Sequence, residues 1–362
     1  MNVPLMLYIY LVSCLAMIAF NLVYMLTARS GGILHWNLLA FRERVGTCWS
    51  RGFTEADRKY FLRKLRFPAY IIYLEELLAD LIKEDPQKSD VLLEHLASPL
   101  AELLCQCSEH SILRSGTYAY YIRMYPQLNM KRFPAVSEKL IQMLGSSDIY
   151  CRENALQALY ALGNAHHVVR ALRVLNRNPE PHNSMVLSLG LRKFTGSHEQ
   201  LASELWDIFD EFKPNLQISI IKYIRACSDS FCPQMLELLT KDRTSTEVTV
   251  CAIRYLGEHP YRPAYSALLE LASGGESISW EQEAEACISL CAYPGPSTAA
   301  VLKAALHSWN WTIRSNAAQS LAKLGLRYLD LLDILEGTDR YAAEILRYQL
   351  ERENLAREAV NA

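Results

Sequence analysis

The sequence predicts an all-α protein: an α-solenoid of stacked antiparallel helix pairs, preceded by one transmembrane helix. Three observations carry that expectation. The stretch CRENALQALYALG, Cys151 to Gly163, returns as IRSNAAQSLAKLG, Ile313 to Gly325, with seven of thirteen positions identical. Between these copies, helical segments end at a nearly constant period, the signature of stacked repeats. At the N-terminus, Val3 to Leu26 form an uncharged run of 24 residues. Alternating β-rich runs bounded by hairpin turns are almost absent, and 362 residues suffice for a sizeable core.

The first element is VPLMLYIYLVSCLAMIAFNLVYML, whose most polar members are Ser13 and Asn21. At roughly 1.5 Å per helical residue it spans a hydrocarbon core of about 30 Å, so residues 1–28 are assigned to a transmembrane helix in the bilayer. A signal peptide cleaved after Ala28 is the competing reading, although no Lys or Arg precedes the run and the run is long for a signal core. Residues 29–66 hold nine basic side chains (Arg29, Arg42, Arg44, Arg51, Arg58, Lys59, Arg63, Lys64 and Arg66) against Glu43, Glu55 and Asp57. The positive-inside rule then places the N-terminus outside and the rest of a single-pass protein in the cytoplasm. Residues 67–362 carry 28 basic and 36 acidic side chains, so the positive charge is confined to the membrane-proximal part. Those arginines and lysines serve as an orientation signal or as contacts to lipid headgroups. Within the basic juxtamembrane linker, residues 29–53, the stretch ILHWNLLAFRERVGTCW fits two arrangements. It lies on the membrane surface with Trp36, Leu39 and Phe41 near the headgroups, or it packs as a linker helix on the solenoid.

The solenoid is predicted over residues 54–337. Early helices are read in LEELLADLIKED, VLLEHLASPLAELLCQC, TYAYYIRMY and AVSEKLIQMLG. In the two near copies, Ala155, Leu159 and Leu162, and likewise Ala317, Leu321 and Leu324, fall at i, i+4, i+7 on one helical face. Asp148 and Asn310, four residues before Arg152 and Arg314, are expected N-caps. Gly163 and Gly325 are expected left-handed stops. Further first helices end near Gly196, near Ala226, at Gly257 and near Tyr293, which gives spacings of 33, 30, 31, 36 and 32 residues. Each is followed by a second helical pattern: HHVVRALRVL, HEQLASELWDIF, PQMLELLTK, AYSALLELA, TAAVLKAAL and YLDLLDIL. Such a pair cannot bury its apolar face alone and must stack on its neighbours. The charged helix DRYAAEILRYQLERENLAREAV, within residues 338–362, is the expected cap.

The pattern Asp148, Arg152, Ala155, Leu159, Leu162, Gly163, matched by NWTIRSNAAQSLAKLG with Asn310 for the Asp, resembles HEAT repeats of the short bacterial type. The unit ending at Gly257 departs from it by lacking the Arg, and the one ending near Ala226 by lacking the Gly. HEAT-like deoxyhypusine hydroxylases hold two irons with several His-Glu pairs; this chain has only His198-Glu199, while Glu94-His95, Glu109-His110 and Glu258-His259 run the other way. HEAT-like DNA glycosylases use a cationic groove, which the acidic repeat region opposes, so nucleic acid is not an expected partner. HEAT-like bilin lyases have diffuse motifs, and an enzyme of that type with its site in the concave groove remains the alternative function.

No catalytic, cofactor or metal residues are nominated. The ten cysteines form no C-x-x-C pair, and Cys287 and Cys291, one helical turn apart, read as small core residues. Nine thiols outside the predicted span suit a reducing compartment. His166-His167 opens a second helix without further ligands that could be named. No nucleophile elbow, phosphate-binding Gly loop or kinase signature occurs. What the sequence offers is a binding surface. Candidate protein-binding residues are Trp309 and Trp311 in HSWNWTIR, Trp280 in SISWEQE, and Tyr118, Tyr121 and Tyr125 in TYAYYIRMYP, since exposed aromatic residues dominate hot spots. Ordinary packing between repeats is the competing reading of Trp280 and Trp311, and Arg314 is expected to bridge to a neighbouring repeat. The expected function is a membrane-anchored scaffold or adaptor for a membrane-associated protein at the cytoplasmic face. By analogy with single-pass HEAT-like proteins, an envelope polysaccharide glycosyltransferase assembly is one partner class.

Overall fold

The computed structural model describes residues 17–18, 37–48, 50–108, 111–178, 183–241 and 244–361. Apart from residues 17 and 18, the segment expected to cross the membrane lies outside them. Among the described residues, no helix is long and apolar enough to cross a membrane. Their secondary structure is helical, with no strand. The chain divides into two compact units, one ending at Ala155 and the other beginning at Leu156.

The first unit contains α1 (37–48), α2 (Glu55–Lys64), α3 (Pro68–Glu84), α4 (Pro86–Gln106), α5 (Ile112–Met124), α6 (Pro134–Met143) and the start of α7 (Ile149–Leu162). Helices α3, α4 and α6 open on proline, whose missing N–H is no loss in a first turn. Helix α4 is the centre of the unit, packing against α2, α3, α5 and α6. Phe41 of α1 is fully buried, with rings of Tyr60, Phe61, Tyr70 and Tyr73 around it. The packed-helix arrangement of the linker therefore holds at Phe41, whereas Trp36 lies outside the described residues.

The second unit contains α8 (Ala165–Arg177), α9 (Ser184–Leu191), α10 (His198–Trp206), α11 (Pro214–Cys227), α12 (Cys232–Thr240), α13 (Thr246–Glu258), α14 (Tyr265–Ala272), α15 (Trp280–Ser289), α16 (Pro296–Ala305), α17 (Trp311–Lys323), α18 (Leu332–Leu335) and α19 (Arg340–Asn361). Helices α9, α11, α13, α15, α17 and α19 pack each against the next, and α12, α14, α16 and α18 pack onto this row. The helix pairs expected from the periodicity are therefore present as stacked layers.

Local signals explain the boundaries. Asp148 Oδ1 accepts the N–H of Cys151 at 2.7 Å and Asn310 Oδ1 that of Thr312 at 2.8 Å, so both expected caps form. Gly163 and Gly325 have φ of +64° and +66°, the left-handed stops expected there. The helix expected to end at Gly257 ends one residue later, at Glu258, without a left-handed glycine. Gly257 lies inside α13, and a Cβ there would stand 2.6 Å from Ser289 Oγ, so its role is close approach of α15.

A device not read from the sequence joins the layers. Tyr255 of α13 donates its hydroxyl to Ser228 O and accepts the N–H of Phe231, both after α11. Tyr293, after α15, donates to Leu256 O at 2.7 Å and accepts the N–H of Tyr261, thereby tying the loop after α13. Tyr223 of α11 shares a hydrogen bond with His198 Nδ1 at 2.8 Å. Tyr223 and Tyr255 are fully buried and Tyr293 nearly so, and each hydroxyl has a polar partner, as a buried hydroxyl requires.

Candidate protein-binding edge

In the second unit the first turns of α15, α17 and α19 form an edge. Their register is fixed along α15 and α17 by Asn316 Nδ2 donating to Ala284 O at 2.8 Å and Ser320 Oγ to Cys287 O at 2.8 Å. That offset brings the start of α17, at Trp311, level with the start of α15, at Trp280. Tyr341 is the second residue of α19, the next helix in the row. Trp309 occupies the loop before α17. These side chains are 71% (Trp311), 44% (Trp280), 74% (Tyr341) and 87% (Trp309) exposed. Packing between layers therefore does not account for Trp311 or Trp309. Scattered exposed apolar residues are normal; exposed tryptophans gathered at one edge make this the candidate surface.

The frame beneath them is held by polar contacts. Ser279 and Gln282 form a reciprocal capping box at the start of α15. Arg314 donates from Nε to Ser308 O and reaches Asp339 Oδ1, in the loop before α19, at 3.4 Å. The expected bridge to a neighbouring repeat is therefore made. Its counterpart in the first unit, Arg152, donates to Ser146 O and Ser147 O at 2.8 and 3.0 Å, which shows that the shared arginine ties the loop before its own helix. His307 Nδ1 stands 2.9 Å from Asp339 Oδ2, and the Ala342 N–H donates to Oδ1. The His307 contact, then the Ala342 N–H and the Arg314 charge, hold the Asp339 carboxyl down to about 2 despite partial desolvation.

The tyrosines nominated in the first unit fare differently. Tyr118 and Tyr121 are buried, donating to Leu65 O at 2.8 Å and Ile71 O at 2.7 Å. Burial pushes the Tyr118 hydroxyl up to about 12. Both are corrected from surface contacts to core residues, since helix α5 turns them onto α3 and the loop before it. Tyr125 is half-buried and packs on the Tyr121 ring.

Several of the basic residues nominated near the membrane are used internally. Asp57, fully buried, accepts from Arg44 Nε at 2.8 Å, from Arg51 Nη2 at 2.7 Å, and from the N–H and hydroxyl of Thr54. Burial alone pushes its carboxyl up; the Thr54 hydrogen bonds, the Cys48 thiol and Arg44 outweigh that and hold it well below the usual carboxylate range. Arg58 pairs with Glu55 and with Glu102, at 3.0 and 2.6 Å, Lys64 donates to Tyr70 Oη and Arg66 to Gln106. Arg42, Lys59 and Arg63 are exposed. The signal for this cluster was present in T-x-x-D, Thr54 to Asp57, a capping-box spacing at a helix start.

Two concavities accompany these features. In the first unit a cavity of about 490 Å³ is lined by Ser108, Ser115, Lys139, Ser146 and Cys151, with Lys139 Nζ donating to Cys107 O at 2.7 Å. In the second a shallow groove of about 800 Å³ runs along Pro294, Pro296, Ala299, Leu324 and Leu326. Burial, with a smaller contribution from Glu283, pushes the Cys287 thiol up to about 12, in keeping with a core role; Cys291 is half-buried. Among the described residues no three His, Cys, Asp or Glu side chains are grouped so as to hold a metal ion. Compared with known protein families and with curated proteins, the chain matches none.

Proposed function

We propose that this protein is a membrane-anchored scaffold of HEAT-like repeats that holds a partner protein at the cytoplasmic face through the edge formed by Trp280, Trp309, Trp311 and Tyr341. The observation that carries the reading is the exposure of Trp309 and Trp311, 87% and 71%, on loops and helix starts fixed by buried or paired polar groups. Large rigid aromatics on a preorganised frame lose little entropy on binding, so exposed pairs of this kind are suited to anchor an interface. The anchor is the uncharged run of residues 3–26, and the basic excess that follows it sets the orientation. An assembly that makes an envelope polysaccharide is the partner class favoured by analogy with single-pass repeat proteins, a fold-level warrant.

The test is crosslinking and recovery from gently solubilised membranes, comparing the intact protein with a Trp309→Ala/Trp311→Ala variant whose helicity is unchanged. A membrane protein recovered with the first and lost with the second supports the scaffold. Equal recovery with both removes the edge from the proposal. Recovery of no partner with either turns attention to small molecules and to the rival enzymatic reading. An intact mass that lacks residues 1–28 would replace the anchor with a cleaved signal.

A further inference from the structure

The aromatic edge also has a charge. Among the described residues, its arginines are already committed: Arg314 to Asp339 at 3.4 Å and Arg340 to Glu344 at 2.7 Å. The acids are not. Glu247 at the start of α13, Glu276 in the loop before α15, Glu281 in the first turn of α15, and Glu336 in the loop before α19 have no cationic partner among the described residues. Glu247 lies in the first turn beside that of α15, because Arg254 and Glu285 pair across α13 and α15 at 2.8 Å. Among the described residues, the edge thus carries exposed Trp and Tyr side chains together with carboxylates that no cation pairs.

We infer that this edge takes an extended, arginine-rich segment of a partner protein. An arginine guanidinium stacks on an indole face while its N–H groups reach a carboxylate, and the edge supplies both at neighbouring positions. An anionic partner is disfavoured by the same charges, and a purely apolar one would leave the carboxylates desolvated without compensation. Resting on the scaffold reading above, the source follows from topology. Segments flanking transmembrane helices on the cytoplasmic side are rich in Lys and Arg, so a membrane partner carries this chemistry on the side where the scaffold reading puts the repeats.

The experiment measures anisotropy of a short fluorescein-labelled peptide of alternating arginine and serine, titrated with the full-length protein in detergent. The protein forms compared are wild type, Trp309→Ala/Trp311→Ala, Glu281→Gln/Glu247→Gln, and Asp229→Asn, an exposed acid in the turn after α11, as a control. Saturable binding is expected, weakened about tenfold by the tryptophan pair, weakened by the glutamate pair and by salt, and unchanged by Asp229→Asn. The matching lysine peptide is expected to bind more weakly than the arginine peptide. Absence of binding, equal binding to the tryptophan variant, or a loss as large in Asp229→Asn as at the edge overturns the inference. A membrane partner recovered through the tryptophans while the arginine peptide fails keeps the scaffold and removes this chemistry. Peptide binding with no membrane partner recovered does the reverse.

Discussion

The two units solve the same packing problem with different materials. The second repeats a short layer, with helices of 8 to 14 residues from α9 to α17, and α9, α11, α13, α15 and α17 each dock on the next of the row. The first gathers helices of uneven length, 10 to 17 residues, around the 21-residue α4 and stitches its beginning with a buried carboxylate shared by two arginines. Where layers recur, small contacts made at every level suffice. Where the pattern is irregular, one concentrated polar cluster does the fixing.

The largest effect is expected where that cluster is broken. Asp57→Ala leaves Arg44 and Arg51 without their shared acceptor and removes the carboxylate half of the capping box made with Thr54, at a cost of about 3 kcal/mol. Urea unfolding should show this loss, and hydrogen exchange should show α1 losing protection before the second unit does. Equal loss of protection in both units would dissolve the contrast. Next comes Gly257→Ala, which forces a Cβ against Ser289 and should cost roughly 1–3 kcal/mol, with Ser289→Gly restoring part of it in a double-mutant cycle. Tyr255→Phe strips a donor from Ser228 O and an acceptor from the Phe231 N–H; a loss of about 1–2 kcal/mol is expected, and near-zero loss would show that the hydroxyl contacts are not what couples the layers.

Acid provides a smaller and more local probe. The Asp339 carboxyl is held at about 2, below its usual 3.8, so its contribution to stability is full above the higher value and is lost as pH falls through the lower one. Asp339→Asn should flatten the stability profile between those limits and leave the profile near neutral pH little changed in slope. An unchanged acid limb would show that His307 and Arg314 do not favour the carboxylate.

The same contrast explains what could be read beforehand. In the second unit, caps, stops and apolar faces are local, so Asn310, Gly325 and Leu321 announced themselves through spacing. The tyrosine pins did not, because a hydroxyl's partner is a backbone group a whole layer away and leaves no mark in the sequence. In the first unit, TYAYYIRMYP looked like a surface run, yet helical rotation buries Tyr118 and Tyr121 and leaves Tyr125 half-covered. Asp57 looked like one acid diluting a basic stretch; only its fold-imposed proximity to Arg44 and Arg51 distinguishes it. At the candidate edge, Trp309, Trp311 and Trp280 were legible as residue types, while Tyr341 joins them only because α19 docks beside α17.

The hydroxyl of Tyr255 grips the turn that follows α11, and that of Tyr293 grips the turn that follows α13. Pulled from its end, such a chain should not come apart like a tangled coil. It should open as a zip does, tooth by tooth, with each tyrosine releasing its grip before the next feels the load. A trace of force against extension would then carry a series of small, evenly spaced steps, about one layer of 30-odd residues each.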